Sequence, residues 1–442
     1  MSDQNGFYIV SFLVRFDALP INSLIFLLIM ATKRKVEVSQ IKHLTPLDLV
    51  LEFTSVHPVF HESFKSLCNT IFTHSGPFCL AHRHYIAIMA ATRHNCDFLV
   101  EYHKAMYLRC NGDSEWLKGL NHADIRFGLL DELNRYMAHQ PWMISADLIQ
   151  KLVGRGTPDA EKTFTLTELN HAAIIMSVVH NMVSFIRAIN LDNKQIELVA
   201  VSLERFYDDD AVTSSCEVEK ILNHMDRMDK FVTKPTSPNC ASFDLTGGES
   251  PESPSEEEDS SNDGLLSFQP QYGYVDFQKR SDKNVKDFKI HEFTWDHSFN
   301  VISEFAYESA SSVDAMIDHI HKLTYNFIGK FGDIDTTKYR LAVWNYIQLI
   351  FGIKHDDYNY SNTNLLMDRQ TKTYIKNTAC FPQRVNDDYL RCMHGFKDSE
   401  KLHVVIIVFV ARMESQLLHF GRALCNYNSR TMAKKGYRRP LD

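Results

Sequence analysis

Arg83-His84-Tyr85-Ile86-Ala87-Ile88-Met89-Ala90-Ala91-Thr92-Arg93-His94-Asn95-Cys96-Asp97-Phe98-Leu99-Val100-Glu101-Tyr102-His103 is the stretch on which the reading of this chain turns. The run predicts a helix. At about 100° per residue, seven steps close to within roughly 20° of two full turns, so Cys96 and His103 fall on one face. Tyr85, Met89, Thr92, Leu99, Met106 and Tyr107 share that face, and the thiol and imidazole interrupt an otherwise core-facing stripe. A thiol beside an imidazole is how a nucleophilic thiolate is made. A buried Cys and a buried His are also ordinary packing residues.

The neighbouring segments repeat the helical period. Thr165-Leu166-Thr167-Glu168 reads as a capping box, followed by Leu169, Ala172, Ala173, Met176, Val179 and Val183 at helical spacing. Asn300 to Lys330, Thr336 to Gly352 and Ser399 to Asn426 read as further amphipathic helices. No sustained period-2 alternation competes, so the class is all-α.

The chain has 442 residues, enough for two or three domains, and a formal charge of −8, which gives no general attraction to nucleic acid or anionic membranes. Nine cysteines are scattered without Cys-x-x-Cys or Cys/His ligand spacing, so no zinc site, other metal or cofactor is indicated. An odd count fits a reducing compartment, the cytosol. Phe7 to Met30 is apolar, but Arg15 and Asp17 divide it. The longest uncharged stretch, Ala18 to Thr32, falls short of the roughly 20 residues that span a bilayer. Residues 1–40 read as a variable extension, with membrane anchoring the lesser alternative. Thr233 to Leu266 is rich in Ser, Pro, Gly and acid, and ends in Ser255-Glu256-Glu257-Glu258-Asp259-Ser260-Ser261-Asn262-Asp263. Such a segment buries too little to offset its ordering entropy and reads as a disordered linker.

With these residues in view, the quoted run closely resembles the signature helix of the sestrins, stress-response regulators whose N-terminal half is similar to the AhpD-type alkyl hydroperoxidase fold. The resemblance covers roughly Ile41 to Ser429. It implies two AhpD/carboxymuconolactone-decarboxylase-like helical subdomains, residues 41–232 and 267–429, joined by the acidic linker 233–266. It also implies that Cys96 is the peroxide-reactive thiol and His103 its proton partner. The family's tyrosine two residues after the cysteine is Phe98 here. The AhpD Cys-x-x-Cys pair is absent, position 99 being Leu99, so turnover would need an external thiol.

The second half carries two more constellations. Asp335 reads as the N-cap of a helix beginning Thr336-Thr337-Lys338-Tyr339-Arg340, with Thr336 and Arg340 on one face. Helix N–H groups, a hydroxyl and a guanidinium favour a carboxylate, and Glu400 supplies an anion for an ammonium. That Arg340 and Glu400 act together is implied by resemblance alone: leucine-sensing sestrins clamp the amino acid with residues matching Thr324, Thr336, Arg340 and Glu400. A lid threonine is Phe327 here and the floor tryptophan is Met393. The alternative is a structural ion pair of Arg340 with Glu400.

Lys354-His355-Asp356-Asp357-Tyr358-Asn359-Tyr360 reads as a solvated turn after a helix, with the makeup of an interface patch. The family uses the residues matching Asp356, Asp357 and Ser184 to engage the GATOR complex upstream of the target-of-rapamycin kinase. Residues 430–442 form a basic tail, read as a solubilising end with nuclear import as the alternative. The expectation is thus a cytosolic regulator that restrains nutrient signalling by holding GATOR, gated by leucine or a similar amino acid. The alternative is an alkyl hydroperoxide reductase using Cys96.

Overall fold

The structure, a computed structural model, describes residues 44–154, 163–191, 216–231, 273–280, 285–385 and 392–434. The extension 1–40, the linker 233–266 and the tail beyond Lys434 lie outside the described residues.

Helices build nearly everything described. The first half contains α1 (Pro46–Thr54), α2 (Pro58–Phe72), α3 (Leu80–Thr92), α4 (Asp97–Arg109), α5 (Ile125–His139), α6 (Ala146–Val153), α7 (Leu166–Ala188) and α8 (Cys216–Phe231). The second contains α9 (Trp295–Lys322), α10 (Thr337–Ile350), α11 (Ser361–Leu366), α12 (Arg369–Cys380) and α13 (Asp398–Lys434). Four two-residue strands accompany them. β1 (Phe288–Lys289) pairs parallel with β4 (Ile353–Lys354), and β2 (Phe327–Ile328) pairs antiparallel with β3 (Phe331–Gly332).

The capping box forms as the sequence predicts. The Thr165 hydroxyl accepts from the Glu168 N–H at 3.1 Å, and the Glu168 carboxylate accepts from the Thr165 N–H at 2.8 Å. The helix expected over residues 83–103, however, is two helices. Asn95 adopts φ 50°, its N–H donates to Thr92 O at 2.9 Å, and the Cys96 N–H reaches back to Ala91 O at 3.3 Å. These two bonds form a Schellman ending in which Asn supplies the left-handed residue that other non-glycine side chains resist. Asn111 and Asn190 end α4 and α7 in the same way.

The helix expected over Asn300 to Lys330 likewise begins at Trp295 and stops at Lys322. Gly329, at φ 57°, takes the first turn position of the β2–β3 hairpin, where a positive φ is required and glycine meets no Cβ penalty. The last helix runs through residue 429 to Lys434, so the start of the expected tail is helical.

α7 and α13 are apolar and long enough to cross a membrane, yet their apolar windows are wholly buried within the fold. They are its central core helices. One apolar cluster takes in both halves of the chain: α2 packs on α9, and α7 on α13. Phe409 of α13 meets Phe64 of α2 edge-on at 5.3 Å, and Phe64 stacks on Phe60 at 5.6 Å. Burying each ring stabilises the fold by about 1.5–3 kcal/mol. Across the α7–α13 seam, Ser177 and Asn181 both donate to the Gln416 side-chain oxygen at 2.8 Å, fixing the register of two otherwise greasy helices.

Candidate functional site

Three places inherit chemistry from this frame. At the first, Cys96 is both the end of the Schellman turn and the N-cap of α4, and its carbonyl accepts from the Val100 N–H at 3.0 Å. The break puts Cys96 just ahead of α4, at φ −96° and ψ 80°, so the helical period that places His103 does not by itself set the direction of the thiol. Both side chains have 0% exposure. His103 meets His84 of α3, Nδ1 to Nδ1 at 3.0 Å, and His84 stacks on Phe72. Burial and then the neighbouring His84 hold His103 well below the usual imidazole range, and burial and then Arg83 hold His84 at about 4. The pair is neutral at pH 7, and burial opposes its taking up a proton, so it provides no imidazolium to stabilise a thiolate. His103 Nε2 is buried with no hydrogen-bond partner among the described residues. His84 was not singled out from the sequence, since nothing local says that α3 turns back on α4.

At the second place, α10 begins at Thr337 with Thr336 as its N-cap residue. Asp335, expected to hold that position, instead accepts from the Thr337 N–H at 2.9 Å from one residue earlier. Thr324 and Thr336 are brought together, hydroxyl to hydroxyl at 3.1 Å, and the Thr336 hydroxyl donates to Tyr325 O. Glu400, buried in the first turn of α13, accepts from the backbone N–H of Gly329 at 2.9 Å and of Lys397 at 2.7 Å. It thereby latches the β2–β3 hairpin onto α13. Arg340 does not form the ion pair with Glu400 that the sequence left as an alternative. Its Nη1 donates to His321 O at 3.0 Å and its Nη2 to the Thr337 hydroxyl at 2.9 Å.

The two charges still share a neighbourhood through His403, one turn beyond Glu400. His403 is held well below the imidazole range by burial first, then by His57 and the Arg340 guanidinium. His57 and Tyr325 ring it at 5.5 and 5.0 Å between centroids. Phe327 sits beneath the Lys397 ammonium at 4.3 Å, and Met393, at φ 53°, is buried. His57 comes from the far end of the sequence and carried no signal there.

The third place is the turn after β4. Asp356 and Asp357 are both exposed, as expected. Asp356 meets Lys289 Nζ at 3.1 Å and His291 Nδ1 at 3.2 Å, contacts made available by the β1–β4 pairing. Asp357 has no hydrogen-bond or ion-pair partner among the described residues. Ser184 is elsewhere. It is 1% exposed in α7, where its hydroxyl accepts from Arg412 Nη1 of α13. Arg412 also donates to the carbonyls of His180 at 3.3 Å and Ala138 at 3.0 Å. A side chain so enclosed does not itself meet a partner, so any part Ser184 has in a contact passes through the α7–α13 seam.

The sequence pattern of the family described as PA26 p53-induced protein (sestrin) matches residues 27–226 and 197–428. The chain belongs to the sestrin family. The match begins ahead of Ile41, so part of the extension lies within the family region. A sestrin homolog of Caenorhabditis elegans is 33% identical over 453 residues, covering 89% of this chain and 95% of the other. Human Sestrin-2 is 32% identical, covering 84% and 82%, and mouse Sestrin-3 is 30% identical, covering 86% and 85%. This sestrin is accordingly a stress regulator of that family, and its three constellations all fall inside the matched regions.

Proposed function

We propose that this sestrin restrains target-of-rapamycin signalling by holding the GATOR complex through the loop that carries Asp356 and Asp357. A leucine-like amino acid at Thr324, Thr336, Arg340 and Glu400 gates that hold. The observation that carries the reading is the exposed Asp357, without a hydrogen-bond or ion-pair partner among the described residues, beside an Asp356 pinned by Lys289 and His291. A pre-set carboxylate at the surface meets a basic partner with little further ordering, which favours association. The gating half is supported by Thr324 and Thr336 meeting hydroxyl to hydroxyl at 3.1 Å at the start of the helix that carries Arg340, with Glu400 buried against the hairpin that follows Thr324.

Replacing Asp356 and Asp357 together by Ala tests the first half. Folding should change little, the exposed ion pairs of Asp356 being worth about 0–1 kcal/mol, while GATOR capture is lost. Capture at the wild-type level would reject the interface. For the gating half, a thermal-shift series against the amino acids should show stabilisation by leucine or a similar apolar one, because a ligand bound only to the folded state raises stability by mass action.

A second reading, thiol peroxidase chemistry at Cys96, is favoured by one observation: on the helix that Cys96 precedes, His103 Nε2 is buried with no hydrogen-bond partner among the described residues. Peroxide reaches a fully buried residue only when α3 and α4 part, so regulation by binding remains the primary reading.

A further inference from the structure

A chain of side-chain hydrogen bonds runs from the middle of the core to the loop after β4. Glu414 lies in the interior on α13, and its Oε2 accepts from Gln348 Nε2 of α10 at 2.7 Å. The other end of the same amide, Gln348 Oε1, meets Nε2 of His355. His355 in turn donates its backbone N–H to the Tyr360 hydroxyl at 2.9 Å, which closes the loop around Asp356 and Asp357. Five residues farther along α13, His419 Nε2 donates to Phe351 O at 2.8 Å, a second tie at the end of α10.

The protonation states suit the relay. Burial holds His355 below the usual imidazole range, so the ring is neutral at pH 7. An amide oxygen only accepts, so in this arrangement the ring proton sits on Nε2. Burial pushes Glu414 up to about 8, which keeps an uncompensated charge out of the core at neutral pH.

We infer that Gln348 and His355 are positioning residues for the partner loop. Anchored on Glu414, they set the direction in which the loop leaves β4, so that Asp356 meets Lys289 and His291 and Asp357 is presented to a guanidinium or ammonium group of the partner. The inference rests on the assignment of this loop as the partner surface. Its physical content is that the loop's ordering entropy is met on folding rather than on binding. Neither residue touches the partner, and the sequence gives no hint of either role, because Gln348 and Glu414 are 66 positions apart.

The test uses the full chain with His355→Leu, Gln348→Met and His355→Gln, beside the Asp356→Ala/Asp357→Ala double variant. Amide hydrogen exchange of residues 353–360 is read in the isolated protein, and capture is read on immobilised GATOR complex. His355→Leu and Gln348→Met should speed exchange of those amides about tenfold and weaken capture about tenfold, with α13 exchange unchanged. His355→Gln, whose amide N–H can still donate to Gln348, should retain wild-type exchange and capture. Wild-type exchange in His355→Leu, or a His355→Gln variant as disrupted as His355→Leu, would overturn the inference. If the double variant still captures the complex, the partner assignment falls instead, and the exchange data alone decide the positioning role.

Discussion

Lowering the pH from about 7.5 to about 5.5 should destabilise this sestrin by roughly 3 kcal/mol or more, because its core is filled with neutral histidines. Burial is the main cause that holds His57, His84, His171 and His419 at about 4, against 6.5 for an exposed imidazole. A histidine depressed in this way binds fewer protons folded than unfolded. Its contribution is therefore complete above 6.5 and is lost as the pH falls toward 4. At pH 5.5 each of the four has lost about 1.4 kcal/mol, or about 5–6 kcal/mol together. Glu414 opposes them. Raised by burial to about 8 from 4.5, it weakens the fold as pH rises through that window, and it returns about 2.5 kcal/mol on the same acidification. The remainder is about 3 kcal/mol before His94, His103, His139, His180 and His403, all well below the usual range, are added. Against a typical total of about 5–15 kcal/mol, such a loss is easily measured. Urea unfolding followed by circular dichroism at the two pH values provides the assay. Glu414→Gln, which removes the opposing contribution, should show the larger drop, about 5–6 kcal/mol for the four histidines alone. An equal midpoint at both pH values would refute the neutral-histidine core.

Iodoacetamide should modify the exposed Cys79 and Cys216 first and the enclosed Cys96 at least about a hundredfold more slowly, as mass spectrometry of timed samples would show. A Cys96 as reactive as Cys79 in the native chain would favour the peroxidase reading. Asn95→Ala should cost about 1–2 kcal/mol in urea unfolding, since alanine resists the left-handed turn, whereas Asn95→Gly should cost much less. In the proposed amino-acid site, Phe327→Thr with Met393→Trp should strengthen leucine binding by about 1–2 kcal/mol by calorimetry. Glu400→Gln should abolish the binding, because the ligand ammonium loses its counter-charge; no leucine heat from either parent or restored variant would leave Arg340 and Glu400 as fold residues only.

Some of this protein was written locally in the chain. The all-α class and the Thr165 capping box follow from helical period and capping chemistry, which act between residues a few positions apart. The exposed acids after α10 belong with them, since a charged pair beyond an apolar helix seeks water. The break at Asn95 was local too, but a single left-handed asparagine is a weak signal inside a strongly helical run. What the acids, Arg340 and Ser184 touch was decided elsewhere. Lys289 reaches Asp356 only because β1 and β4 pair, Arg340 turns to His321 rather than Glu400, and Ser184 faces Arg412 only because α7 lies along α13. Those partners are tens to hundreds of positions apart, and no local preference encodes them. They are chosen when the apolar faces of distant helices close on one core, and each buried polar group must then bond to whatever that packing has placed within reach.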